Sequence, residues 1–171
     1  MNAPITLDRP YQPLLDWFAA QDIEYEIHEH DTAFTARATA AAEGVDPRTF
    51  AKVVGVVSGD GRKALMVLDA TDQLDVRKAR HALGTTEVRL LTEPELAALA
   101  PGCEVGAIPA VGSLFGLTTH ADYAVRDDPE ISFSAGSHRF SARVDRARWE
   151  RAGTVLYSDL AEDRDGPAWS S

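Results

Sequence analysis

The sequence predicts one mixed α/β (α+β) domain in which strands outnumber helices. Three observations carry this expectation. A length of 171 residues suits a single core. The β-branched run Ala51–Val57 and the alternating run Ile23–Ile27 read as strands, whereas Leu14, Leu15, Trp17 and Phe18 recur at helical spacing. No strand-to-helix turn carries a GxGxxG or P-loop pattern, which removes the main support for dinucleotide and triphosphate binding. Neither an internal repeat nor a low-complexity block divides the chain.

The elements follow in order. Pro10 sits near the start of a first helix that runs through Phe18. The strand Ile23–Ile27 comes next. Thr35 can cap a helix over 36–43, and Gly44 ends it. Ala51–Val57 and Lys63–Leu68 flank the turn Ser58-Gly59-Asp60-Gly61, a β-hairpin expected near the middle of a sheet. A helix spans 75–83 and closes at Gly84; a short strand follows at 88–91 and a helix at 93–99. The stretch from Gly102 to Gly116 is punctuated by glycine and proline and is expected to be irregular. Strands are expected at 123–126, 131–134 and 140–144, then a helix over 145–152 and a strand at 154–157. The domain is expected to occupy residues 1–161, with 162–171 as a disordered tail.

Bulk chemistry narrows the function classes. Hydrophobic residues make up 44% of the chain and charged residues 26%, a globular composition. No apolar run approaches the roughly 20 residues that span a bilayer, so no membrane association is expected. The first ten residues lack the apolar core of a signal peptide, and a single cysteine, Cys103, suits the cytoplasm. A formal net charge of −10 argues against non-specific nucleic-acid binding, which needs a basic surface. It leaves room for a local basic patch that grips one end of a nucleic acid.

Several residues could carry chemistry. Lys52 opens a strand that otherwise wants burial, between Phe50-Ala51 and Val53-Val54. Such a lysine either reaches water along the strand end or serves a bound ligand, because burying an unpaired ammonium is costly. The loop Val105-Gly106-Ala107-Ile108-Pro109-Ala110-Val111-Gly112 is either a plain surface turn or a rigid loop whose backbone N–H groups face an oxyanion or carbonyl. His138, in Ser134-Ala135-Gly136-Ser137-His138, is a general acid/base, an anchor or a solvent-exposed turn residue. His28 and His30 alternate on a strand and share a face, yet no further ligand stands at metal-site spacing. Cys103 reads as a small hydrophobe.

Taken together these segments resemble the YbaK/prolyl-tRNA-editing domains, from about Leu14 to Leu160. Phe50-Ala51-Lys52-Val53-Val54 is similar to the family's lysine-bearing strand, and Asp75–Gly84 to its basic helix ending in glycine. Glu104–Pro109 resembles the Gly-x-x-Pro substrate loop, and Phe133–His138 the late Gly-x-His turn. Val53 departs from the asparagine that alanine-specific members tend to carry after the lysine.

The resemblance implies a mixed, largely antiparallel β-sheet or partial barrel surrounded by helices. It implies an aminoacyl-tRNA deacylase that uses no metal, cofactor or covalent nucleophile and acts in trans. The substrate would be mischarged tRNA, most plausibly tRNA-Pro carrying a small non-cognate amino acid. Lys52 would be the essential residue, and Gly106, Ala107, Ile108 and Pro109 would orient the aminoacyl carbonyl. Gly136, Ser137, His138, His30 and Thr35 would complete the substrate pocket. The partner implied is the tRNA acceptor end, with an aminoacyl-tRNA synthetase or elongation factor as a further candidate; a monomer is expected because no long amphipathic surplus or exposed apolar strand asks for a partner. Arg77, Lys78 and Arg80, with His81, Arg62 and Lys63, form the basic patch expected to meet tRNA; a merely solvated helix face is the other reading. Two competing functions stand beside deacylation: a non-catalytic module of the same fold that holds an aminoacyl-nucleotide or a protein, and a metal-dependent hydrolase built on His28 and His30.

Overall fold

The structure is a computed structural model and describes residues 6–163. Among these residues eight strands and six α-helices follow in the order α1 (Gln12–Ala20), β1 (Tyr25–Glu29), α2 (Ala36–Glu43), β2 (Ala51–Ser58), β3 (Lys63–Asp69), α3 (Val76–Leu83), β4 (Val88–Leu90), α4 (Glu93–Leu99), β5 (Thr118–Asp122), α5 (Tyr123–Arg126), β6 (Glu130–Ser137), β7 (Phe140–Asp145), α6 (Arg146–Ala152) and β8 (Leu156–Ser158). A short 3-10 turn, Gly112–Phe115, lies within the expected irregular stretch.

The mixed, largely antiparallel architecture is present, divided into two sheets that do not close into a barrel. One has the order β1-β7-β6 and is antiparallel throughout. The other has the order β4-β2-β3-β5-β8, antiparallel from β4 to β3 and parallel from β3 to β8. The β2–β3 hairpin is therefore interior, which explains why Val56, Val57 and Ala64–Leu68 are buried. A parallel bridge between Phe50 and Ser132 joins the two sheets.

Local chemistry sets the helix ends. The Thr35 hydroxyl accepts from the Ala38 N–H, and the Asp75 carboxylate from the Arg77 and Lys78 N–H groups. Such caps contribute about 1 kcal/mol each. Gly44 and Gly84 end α2 and α3 in the left-handed conformation that glycine adopts without strain. The largest core cluster packs Leu14 and Phe18 of α1 and Trp149 of α6 against Ile131, Phe133, Ala142 and Val144. Trp149 is fully buried, and its indole N–H donates to the Ala110 carbonyl at 2.7 Å.

Three local expectations change. Residues 123–126 form α5, not a strand, and the strand is β5, Thr118–Asp122. The strand expected at Tyr123–Arg126 is overridden by Asp122, whose carboxylate caps Ala124 and also accepts from the Leu160 and Ala161 N–H groups. Ser134–Ser137 is not a turn: β6 continues through it with a register shift between Ser134 and Ser137. Gly136 absorbs that bulge at φ +86°, and the hairpin tip moves to His138-Arg139. Of the expected tail, Glu162 donates its N–H to the Gln73 carbonyl and Asp163 pairs with Lys78; residues 164–171 lie outside the described residues.

Candidate functional site

Phe50, just before β2, forms a parallel bridge with Ser132 of β6. Two residues further along each segment stand Lys52 and Ser134, and both line a pocket of about 390 Å³. The walls also include Thr35 and Ala36 at the start of α2, Ala51 and Val53 of β2, Ala70 and Gln73 after β3, and Gly106 and Ile108. Phe34, 71% exposed, and Arg37 stand at the same pocket. Lys52, Thr35 and the Gly106–Ile108 loop are thus brought together from three separate segments.

Lys52 does not simply run out into water. Its ammonium donates to the Asp72 carbonyl and to Gln73 Oε1, each at 3.2 Å. Partial burial pushes its pKa below the usual lysine value, and the negative charges of Asp72 and Glu162 pull the other way. The result is a cation held at a pocket wall by two neutral oxygens, with the Asp72 and Glu162 carboxylates close enough to act on its charge.

The loop at Gly106 has two backbone N–H groups to offer. The Ala107 N–H is committed to the Glu104 carbonyl at 3.1 Å, while those of Gly106 and Ile108 meet no acceptor among the described residues. Gly106 has φ +88°, and a Cβ there would lie 3.3 Å from Cε1 of His138. Pro109 is buried, and its carbonyl accepts from the Val111 N–H.

Gly136, Ser137 and His138 hold this loop from behind rather than lining the pocket. The Gly136 N–H donates to the Ala107 carbonyl at 2.9 Å, and its carbonyl accepts from the Glu104 N–H at 2.8 Å. A Cβ at Gly136 would collide with Cβ of Tyr11, so only glycine fits. Ser137 is fully buried, and its hydroxyl donates to the Leu7 carbonyl. His138 places Nδ1 3.0 Å from the Ala33 carbonyl and Nε2 2.8 Å from the Val105 carbonyl, while its backbone N–H donates to the Glu104 carboxylate at 2.9 Å. It ties the segment before α2 to the residue preceding Gly106. That is the position of a brace, with both ring nitrogens turned to backbone oxygens.

The other expected residues are dispersed. His30 keeps Nδ1 on the Asp31 carbonyl at 2.8 Å and does not line the pocket. His28 sits beside Glu26 and Glu43, and among the described residues no group of three or more His, Cys, Asp or Glu is placed to hold a metal. Cys103 is buried, which pushes its thiol up to about 12. Arg77, Arg80 and His81 line a shallow groove with Gly84, Thr85 and Thr86. Lys78 points elsewhere: its ammonium is taken by Asp159, Asp163 and the Ala161 carbonyl at 2.7–3.0 Å. Arg62 pairs with Asp60 and the Leu83 carbonyl, and Lys63 begins β3 as an exposed residue.

Sequence reasoning missed Gln73, Arg37 and Phe34. Nothing in their local patterns marks them, because each reaches the pocket through the fold. Ser134 and Glu104 lay inside segments already singled out, without being named for a role.

Among the described residues no helix is long and apolar enough to cross a membrane. A family model described as the aminoacyl-tRNA editing domain matches residues 30–152. A proline–tRNA ligase of Halalkalibacterium halodurans is 30% identical over 163 residues, covering 95% of this chain and 26% of the ligase. The chain therefore spans about a quarter of that relative's length. Among solved structures, a candidate trans-editing enzyme for prolyl-tRNA synthetase superposes with a TM-score of 0.78 at 22% identity, over 92% of this chain and all of the other. A hypothetical protein superposes with a TM-score of 0.80 at 18% identity, over 88% of this chain and 99% of the other. These two share the fold.

Proposed function

The chain belongs to the aminoacyl-tRNA editing domain family, and from that premise we propose that it is a deacylase that hydrolyses the ester of mischarged tRNA in trans. The observation that carries the proposal is the Lys52 ammonium, held by two neutral oxygens at the wall of a pocket also lined by Gly106 and Ile108, whose N–H groups meet no acceptor among the described residues. The substrate is tRNA-Pro bearing a small non-cognate amino acid such as serine, alanine, cysteine or threonine. Ala51, Ala70, Gly106 and Ser134 leave space for a short side chain.

In this reading Lys52 holds the 3′-terminal nucleotide, and the Gly106 and Ile108 N–H groups orient the aminoacyl carbonyl. A water, assisted by the terminal ribose hydroxyl, attacks the carbonyl carbon. The new bond joins the water oxygen to that carbon, the bond to the ribose oxygen breaks, and the ribose oxygen takes the proton. An aminoacyl ester is already activated, so positioning and stabilisation of the developing oxyanion can supply the acceleration without a nucleophilic side chain or metal. His138 and Gly136 act behind the loop, keeping Gly106 in place. Arg77 and Arg80 meet acceptor-stem phosphates, and a synthetase or elongation factor delivers the tRNA to a cytoplasmic monomer.

The test is deacylation of tRNA-Pro charged with each small amino acid by the purified, chelator-treated protein. Turnover of at least one mischarged species, with prolyl-tRNA-Pro spared, supports the proposal. Saturable binding with no turnover on any species would replace it with a non-catalytic binding module.

A further inference from the structure

The Ser134 side of the pocket continues into a strip of polar side chains that the hydrolytic chemistry above does not use. Ser134 faces Ser141 across the β6–β7 ladder, and Ser141 faces His28 across the β7–β1 ladder. Side chains directly opposite on a ladder share a face, with Cβ atoms roughly 4.5–5.5 Å apart. The three therefore form one row leading from the pocket across the smaller sheet. Ser141 is fully buried, and its Oγ has no hydrogen-bond partner among the described residues. Glu43, at the end of α2, comes within 3.8 Å of His28 Nε2; its side chain is 4% exposed, and neither carboxylate oxygen has a hydrogen-bond partner among the described residues. Buried polar groups are nearly always paired, so a row of this kind calls for a polar group to complete it. At the pocket end, Ala51, Ala70 and Ile108 are apolar, and Ser134 is the member of the row that lines the pocket.

We propose that this row reads the side chain of the amino acid carried by the tRNA, and that the substrate class is a hydroxyl amino acid, serine or threonine, rather than alanine. The inference rests on the deacylase reading. Ser134 Oγ would contact the substrate's side-chain hydroxyl, and Ser141 would act as a positioning residue behind it. A site built to hydrogen-bond a hydroxyl discriminates strongly against the analogue that lacks it, whereas a single methylene in an apolar pocket gives only about 10–200-fold.

The experiment compares kcat/KM for tRNA-Pro charged with serine, threonine, alanine or cysteine, using the wild-type chain, Ser141→Ala and Ser134→Ala. The expected result is a seryl or threonyl ester preferred over the alanyl ester by about tenfold or more. That ratio collapses toward one in Ser141→Ala while its thermal midpoint stays near wild type. Because Ser141 is buried, Ser134→Ala at the pocket wall gives an independent reading of the same ratio should the first variant misfold. A wild-type preference for the alanyl or cysteinyl ester, or a variant that lowers every ester equally, would overturn the selectivity and leave the deacylase reading standing. No hydrolysis of any ester would overturn both.

Discussion

The Lys52 ammonium and the Gln73 side-chain oxygen lie 3.2 Å apart, so a residue of the loop after β3 holds the charged tip of a residue on β2. The Asp72 carbonyl supplies the second anchor at the same distance. Neither anchor is itself a carboxylate, and a neutral anchor positions the ammonium without cancelling its charge. Gln73→Leu keeps the side chain's bulk and removes the acceptor. We expect kcat/KM for the mischarged ester to fall about tenfold, equivalent to about 1.4 kcal/mol, with an unchanged thermal midpoint. Wild-type kinetics in that variant would remove Gln73 from the account.

Burial lowers the Lys52 pKa relative to 10.5, so the ammonium is lost at a lower pH than in an ordinary exposed lysine. The alkaline limb of kcat/KM, corrected for spontaneous ester hydrolysis, should therefore fall below that value. The stability sign follows from the same shift. With the folded pKa depressed, the stabilising contribution is present above the unfolded pKa and lost as pH falls through the folded one. At neutral pH the charged Lys52 thus weakens the fold, and Lys52→Met is expected to raise the thermal midpoint while abolishing hydrolysis. Calorimetry and the ester assay on the same preparation check both halves.

Gly106 combines φ +88° with a neighbouring His138 ring. Gly106→Ala adds left-handed strain of roughly 1–2 kcal/mol and presses on the ring that braces the loop. Activity should drop by more than stability does, because the Gly106 N–H is displaced from the pocket. Urea midpoints set beside kcat/KM separate the two. His138→Ala should cost stability first, by about 1–3 kcal/mol, since the ring that bridges the Ala33 and Val105 carbonyls is lost, along with the hydrogen bond its N–H donates to one of them.

The three cations expected on α3 are not equivalent. Arg77 and Arg80 line an open groove, whereas Lys78 is occupied by Asp159 and Asp163. Arg77→Ala and Arg80→Ala should raise KM for charged tRNA and flatten its salt dependence, as loss of a phosphate contact does. Lys78→Ala should leave the salt slope unchanged. Titrations at several salt concentrations give the comparison.

Cys103, with its thiol pushed up to about 12 by burial, should resist alkylation at pH 8 in the native protein and react once unfolded. Mass spectrometry after iodoacetamide treatment reads the result directly.

The parts of this structure that were legible in the sequence are those fixed by local chemistry. Thr35 with Gly44 and Asp75 with Gly84 bound their helices because caps and left-handed glycines act over a few residues. The β2–β3 hairpin was legible from its β-branched run and its turn. Asp122 was not, since its carboxylate joins three N–H groups, two of them nearly forty residues away. The joining of the two sheets depends on the Phe50–Ser132 bridge, which no local pattern announces. Lys52 stood out as a cation in an apolar run, but Gln73, its partner, lies in a stretch without any signal. Ser141 sits in an ordinary strand and gains meaning only from what faces it.

The most direct test of the central claim is the single-turnover rate of mischarged tRNA-Pro hydrolysis by Lys52→Ala relative to wild type, with circular dichroism confirming an intact fold. A rate indistinguishable from uncatalysed hydrolysis is expected in a fully folded variant. A folded Lys52→Ala protein that deacylates at the wild-type rate would contradict it.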